Sequence, residues 1–164
     1  MKYRRLTPDE LSELETEFVQ FLAANTITGQ DWEKLKKEKG DQAEELIDLF
    51  SDIVFERVLA QINFLEISTP KDIRTFSCEQ QVIRMNGIRI AGETNIDFTQ
   101  TGDPQAMIAH VQQSGAVLQF YSGEKAYQPN RSEELFRMMQ QGALISRDGH
   151  LYKTLESLKG TPSE

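Results

Sequence analysis

Residues 41–65 carry a long amphipathic stretch, and a chain that contains it must house a long helix. Asp41, followed three residues on by Glu44, supplies a start signal. A helix from there to about Leu65 would span about 37 Å at 1.5 Å per residue. Its apolar face changes along its length. Leu46, Leu49, Phe50, Ile53 and Val54 share one arc, and Phe55, Val58, Leu59, Ile62 and Leu65 share another, rotated by well over 90°. The first half is expected to pack on preceding helices and the second on whatever follows, so that the helix joins two parts of one domain. The breadth of that second apolar face also admits a homo-oligomer.

Two shorter helices precede it. Thr7-Pro8-Asp9-Glu10 has the form of a capping box with proline at the first helical position, flanked by Leu6 and Leu11 as a hydrophobic staple. Leu11, Leu14, Phe18, Phe21 and Leu22 then form one stripe, which predicts a single helix to about Asn25. Thr28 with Asp31, and Ile27 with Trp32, repeat the device. Lys34, Lys36, Lys37 and Lys39 suit the negative end of that helix, and Gly40 is expected to end it.

Beyond residue 66 the pattern is mixed. Ile83, Met85, Ile88 and Ile90 alternate around Asn86-Gly87, a strong hairpin signal. Ile96 and Phe98 suggest a short strand. A helix is expected from Asp103-Pro104 to Ser114, a strand over Ala116–Tyr121, a loop over 123–130, and a helix from there to Gly142. A second hairpin is expected around Asp148-Gly149. The fold class that follows is α+β. It is one domain over 1–160, with a helical part (1–66) and a mixed part (67–160). An N-terminal three-helix layer would pack on a small, mostly antiparallel sheet with two further helices, and residues 161–164 would fray.

The totals exclude several chemistries. Among 164 residues there is one cysteine, Cys78, and there are two histidines, His110 and His150. A disulfide framework, a Cys-rich zinc module and the HExxH and ExxH metal motifs are therefore absent, and neither metal nor cofactor is expected. The Gly-rich phosphate loops are absent too. The first residues have no apolar run behind them, as a secretory signal would, and no apolar stretch approaches 18 residues. A cytoplasmic, reducing setting without a membrane follows as the expectation. Acids outnumber bases 26 to 18, which argues against nucleic-acid binding. Residues 1–66 hold 15 of the acids and 8 of the bases, so a charge-sensitive partner is expected at that end.

Two constellations are candidate sites. Glu44, Asp48, Asp52 and Glu56 stand at successive i,i+4 positions, with Asp41 and Glu45 beside them. The ordinary reading is a solvated face offset by lysines. The functional one is a docking face for a basic protein partner. If Asn86-Gly87 is a turn, Arg84 and Arg89 oppose each other across the hairpin and require an anion nearby. Either a carboxylate of the chain such as Glu93 supplies it, or a bound phosphate or carboxylate ligand does. Glu93, Asn95, Asp97 and Thr99 form a polar row that reads more simply as the wet side of an edge strand. Cys78 with His110 as its base is a nucleophile reading without a surrounding signature. Structural roles are the simpler expectation for both, and for His150 beside its turn.

The opening Met1–Leu11, the Asp-Trp-Glu-Lys at 31–34 and the Glu-Glu-Leu-Ile-Asp-Leu-Phe-Ser-Asp at 44–52 resemble an uncharacterised family of small bacterial proteins of unknown function. The resemblance is clearest over residues 1–66. It implies a bacterial cytosol and carries no catalytic residue. Function therefore stays open between a non-enzymatic interaction module and a small-anion binder or enzyme near Arg84 and Arg89.

Overall fold

The computed structural model describes residues 1–92, 95–100 and 103–159. The chain forms two compact units, Met1–Ala60 and Gln61–Glu164. Glu93 and the tail 161–164 lie outside the described residues. Among those described, no helix is long and apolar enough to cross a membrane.

The first unit is helical: α1 (Pro8–Glu13), α2 (Glu15–Ala24), α3 (Gly29–Glu38) and α4 (Gly40–Gln61). Both capping boxes form. Thr7 Oγ1 accepts the Glu10 N–H (3.2 Å) while the Glu10 carboxylate accepts the Thr7 N–H (2.9 Å). Thr28 and Asp31 reciprocate at 3.1 Å each way. The expected first helix is two, because the backbone departs from helical geometry at Leu14 (φ −103°, ψ 23°). The apolar stripe survives the break. Phe18 and Leu22 are buried with Leu6 and Phe50, and Trp32 and Val54 pack against them. The Phe18 ring meets Trp32 edge-on at 5.1 Å and Phe50 at 5.0 Å. Such pairs contribute about 0.5–1.5 kcal/mol beyond their buried area. Two further expectations fail here. Leu49 stays half exposed. Gly40 does not end α3: Lys39 makes that turn (φ −139°, ψ 61°), and Gly40 is the first residue of α4.

The second unit is built on an antiparallel sheet of order β4-β3-β2-β1-β5. Its strands are β1 (Phe64–Thr69), β2 (Asp72–Cys78), β3 (Val82–Ala91), β4 (Val117–Ala126) and β5 (Leu144–Ser146), with helices α5 (Pro104–Ser114), α6 (Arg131–Gln140) and α7 (His150–Lys159). α4 stops at Gln61, short of the expected Leu65, because Phe64 and Leu65 open β1. The tight hairpin lies at Pro70-Lys71, where Thr69 pairs with Asp72.

Asn86-Gly87 is not a turn. Both residues sit inside β3, paired to β2 on one side and β4 on the other. The Asn86 carbonyl accepts from Thr75 Oγ1 (2.7 Å), and its side-chain amide donates to Glu156. Gly87 lies opposite Tyr121, whose ring fills the space a side chain would take. A glycine inside a strand commonly marks such a close approach.

Asp148-Gly149 is not a hairpin either. Leu151 and Leu155 bury at helical spacing in α7, and Asp148 Oδ1 accepts the His150 N–H at 3.0 Å. Ile96 and Phe98 form no strand: Asp97 Oδ1 accepts the Thr99 N–H in a local turn, and Phe98 enters the core. That core joins Ile73, Ile88 and Ile90 of one sheet face to Ile108 and Val111 of α5 and Leu151 and Leu155 of α7.

Candidate functional site

In α4 the acidic residues do converge on one face, and the chain's own residues 2–6 lie along it. Asp52 accepts the backbone N–H of Lys2 (2.7 Å) on one carboxylate oxygen and that of Tyr3 (2.9 Å) on the other. Glu56 accepts Lys2 Nζ (2.5 Å) and the Tyr3 hydroxyl (2.7 Å). Asp48 takes Arg5 through two guanidinium nitrogens (2.6 and 3.1 Å). Glu44 stands 3.9 Å from the same guanidinium. The segment ends in an apolar anchor. Leu6 is buried, and its N–H donates to Ser51 Oγ (3.0 Å), which in turn donates to the Ile47 carbonyl (2.7 Å).

A face expected to seek a basic partner thus has one within the chain. Sequence reasoning missed Lys2, Tyr3 and Arg5 as its occupants, although a basic cluster beside an acid-rich helix was a signal in plain view. Arg4 turns the other way, forking onto Glu10 (2.7 and 3.0 Å) with its guanidinium 4.8 Å from the centre of the Phe55 ring.

These pairs set the titration of the unit. Arg4, and then the Thr7 N–H, pull the Glu10 carboxyl from 4.5 down to about 2. Arg5 lowers Asp48. A carboxylate whose folded-state pKa is depressed contributes stability above its unfolded pKa and loses it as pH falls through the folded one. The hold of Glu10 on Arg4 and the Thr7 N–H is therefore expected to be lost as pH falls between about 4.5 and about 2, loosening the entry to α1 beside Leu6. The Leu6 amide would show this by faster hydrogen exchange, and Glu10→Gln would flatten the profile. Unchanged Leu6 protection across that window would refute the assignment.

The second candidate pair does not assemble. Arg84 and Arg89 lie five residues apart on one strand, so alternation sends them to opposite faces of the sheet. The carboxylates beside Arg84 are Glu79 (2.7 Å) and Glu124 (2.5 Å). Arg89 sits opposite Asp72 and Gln119, on the face that carries Arg74 and Tyr121. Arg84 does line a hollow of about 320 Å³ between β3–β4 and α7, with Tyr152, Glu156 and Lys159 on the helix side.

The remaining candidates are quiet. Burial pushes the Cys78 thiol up to about 12, which leaves no thiolate nucleophile near neutral pH. His110 is exposed on α5. His150 opens α7 with its N–H on Asp148. Asp97 and Thr99 of the polar row bond to each other. Among the described residues no group of three His, Cys, Asp or Glu side chains is placed to hold a metal. Arg131 was not anticipated. Its guanidinium gathers the carbonyls of Ile62 (2.5 Å), Cys78 (3.2 Å) and Glu79 (3.2 Å). Beside it, the buried Glu134 accepts the Gln128 N–H (2.8 Å) and pairs with Lys125.

No curated protein and no solved structure matches this chain. A model of one family covers residues 1–160, nearly the whole sequence and not the helical part alone. The chain belongs to that family, DUF6495, a family of unknown function.

Proposed function

We propose that this chain is a non-enzymatic protein-interaction module whose carboxylate face on α4 takes a basic, non-helical segment. One observation carries the reading: that face already engages such a segment, residues 2–6, through backbone N–H groups as well as side chains. Recognition of two consecutive main-chain donors by Asp52 favours a ligand whose backbone bends there, as it does at Tyr3, and Asp48 favours arginine, whose fork matches a carboxylate. The ligand is a basic peptide segment with an aromatic residue and an apolar end, and it competes with the chain's own. The cytoplasm of a bacterium is the proposed setting, in keeping with a single cysteine in the sequence.

The test vacates the face. A Lys2→Ser, Tyr3→Ser, Arg5→Ser variant, checked for folding, would be titrated with a fluorescent peptide of residues 1–7. Saturable binding that disappears when Asp48→Lys and Asp52→Lys are added supports the module, as does weaker binding to the unaltered chain. Failure of the peptide to bind the folded, vacated face would show that residues 2–6 are a structural strap only.

A further inference from the structure

The hollow beside Arg84 belongs to the other unit and has a separate chemistry. Three residues of α7, Tyr152, Glu156 and Lys159, lie at i, i+4 and i+7 and so share one helix face. Across from them β3 and β4 present two cross-strand pairs, Arg84 with Glu124 and Asn86 with Ser122. The space between holds about 320 Å³. A smaller pit of about 70 Å³ adjoins it at Asn86, Ser122 and Lys159.

The floor of this hollow is unusual for a sheet core. Asn86 is only 3% exposed and sits on the strand face that continues into Ile88 and Ile90. An apolar residue there would extend the core. A buried amide is tolerated only when hydrogen-bonded, and its partner is Glu156, a charged group aimed at the hollow (2.5 Å).

The charges alternate. Arg84 pairs with both Glu79 and Glu124, and Glu156 stands 3.7 Å from Lys159. All five are about half exposed, so their mutual pairs are weak and open to competition. A pure anion entering here meets three carboxylates, and a pure cation meets a guanidinium and an ammonium. A molecule carrying both charges is matched at each end. The volume is at the small end of ligand sites. Tyr152 lines the hollow together with Arg84 and Glu156.

We propose that this hollow binds a small zwitterion of amino-acid size, its carboxylate on Arg84 and its ammonium on Glu156, with Tyr152 between them. The free anion envisaged for Arg84 and Arg89 together is a poorer match, since Arg89 is on the other face.

The test is a titration of the isotope-labelled chain, read by amide NMR. The probes are the common amino acids one at a time, with acetate and methylammonium as single-charge controls. The expected result is saturable shifts at the Asn86 side-chain amide and the Ser122 and Glu124 backbone amides with at least one amino acid. Neither control should reproduce them. Arg84→Ala and Glu156→Gln, the second of which keeps an acceptor for Asn86, should each weaken binding about tenfold or more. Three results overturn the proposal: no saturable shift with any amino acid, acetate binding as well as the best amino acid, or affinity indifferent to both substitutions.

Discussion

Replacing Arg131 with alanine is expected to cost the sheet unit about 3–5 kcal/mol. The guanidinium serves three carbonyls, those of Ile62, Cys78 and Glu79. Ile62 and Cys78 are buried. Each buried carbonyl left without a donor costs about 1–3 kcal/mol, while the Glu79 carbonyl keeps the Tyr127 hydroxyl as a donor (2.6 Å). Lysine should restore less than half of the loss, because a single ammonium cannot reproduce a planar fork that reaches three acceptors. Hydrogen exchange of the β1 and β2 amides is the appropriate readout, since it reports this unit without assuming that both units unfold together. A loss below about 1 kcal/mol would mean that water replaces the guanidinium at these carbonyls.

The second large effect is expected at Gly87. A Cβ built there would lie 2.3 Å from Tyr121 Cζ and 2.7 Å from its hydroxyl oxygen. The ring does not move away freely, because its hydroxyl is bonded to Asp72 (2.5 Å) and Asp72 also pairs with Arg74 (3.3 Å). Gly87→Ala should therefore cost about 2–3 kcal/mol, and Gly87→Val more. The decisive experiment is a double-mutant cycle with Tyr121→Ser. In that background Gly87→Ala should cost almost nothing, leaving a coupling of about 2 kcal/mol. If alanine is tolerated beside the intact tyrosine, the ring swings out and the sheet does not depend on this contact.

The same two positions show where sequence and structure part. The helix starts at Thr7 and Thr28 were readable because their chemistry is local: a hydroxyl and a carboxylate three residues apart satisfy each other whatever the rest of the chain does. The sheet is not local. Asn86-Gly87 has the right residues for a turn, yet β3 gains a partner strand on each side by running straight through them, and that pairing outweighs the local preference. Leu65 fits the helical period of α4, and that period hides the start of β1 at Phe64.

The carboxylate face was legible as helix arithmetic. Its occupant was not, because no spacing rule says that Arg5 will reach Asp48, 43 residues away. Arg84 and Arg89 do not oppose each other, since five residues means one face across a two-residue turn and opposite faces along a strand. The residues that complete the Arg84 hollow come from α7, whose first residues, His150–Lys153, have the alternation of a hairpin strand beside Asp148-Gly149.

Keeping Asn86 and Gly87 inside a strand also bears on how the molecule ages. An asparagine followed by glycine is the dipeptide most prone to lose its side-chain ammonia, because the unshielded glycine nitrogen can attack the asparagine amide carbon and close a five-membered ring. That closure needs a backbone bend which an extended strand, paired on both sides, does not allow. The Asn86 amide is held away from the reaction by its bond to Glu156. The chemical lifetime of this residue is thus tied to the integrity of the sheet. Each opening of β3 exposes it to ring closure with loss of ammonia and then to hydrolysis into isoaspartate or aspartate, either of which would place a second carboxylate beside Glu156 where an amide had been.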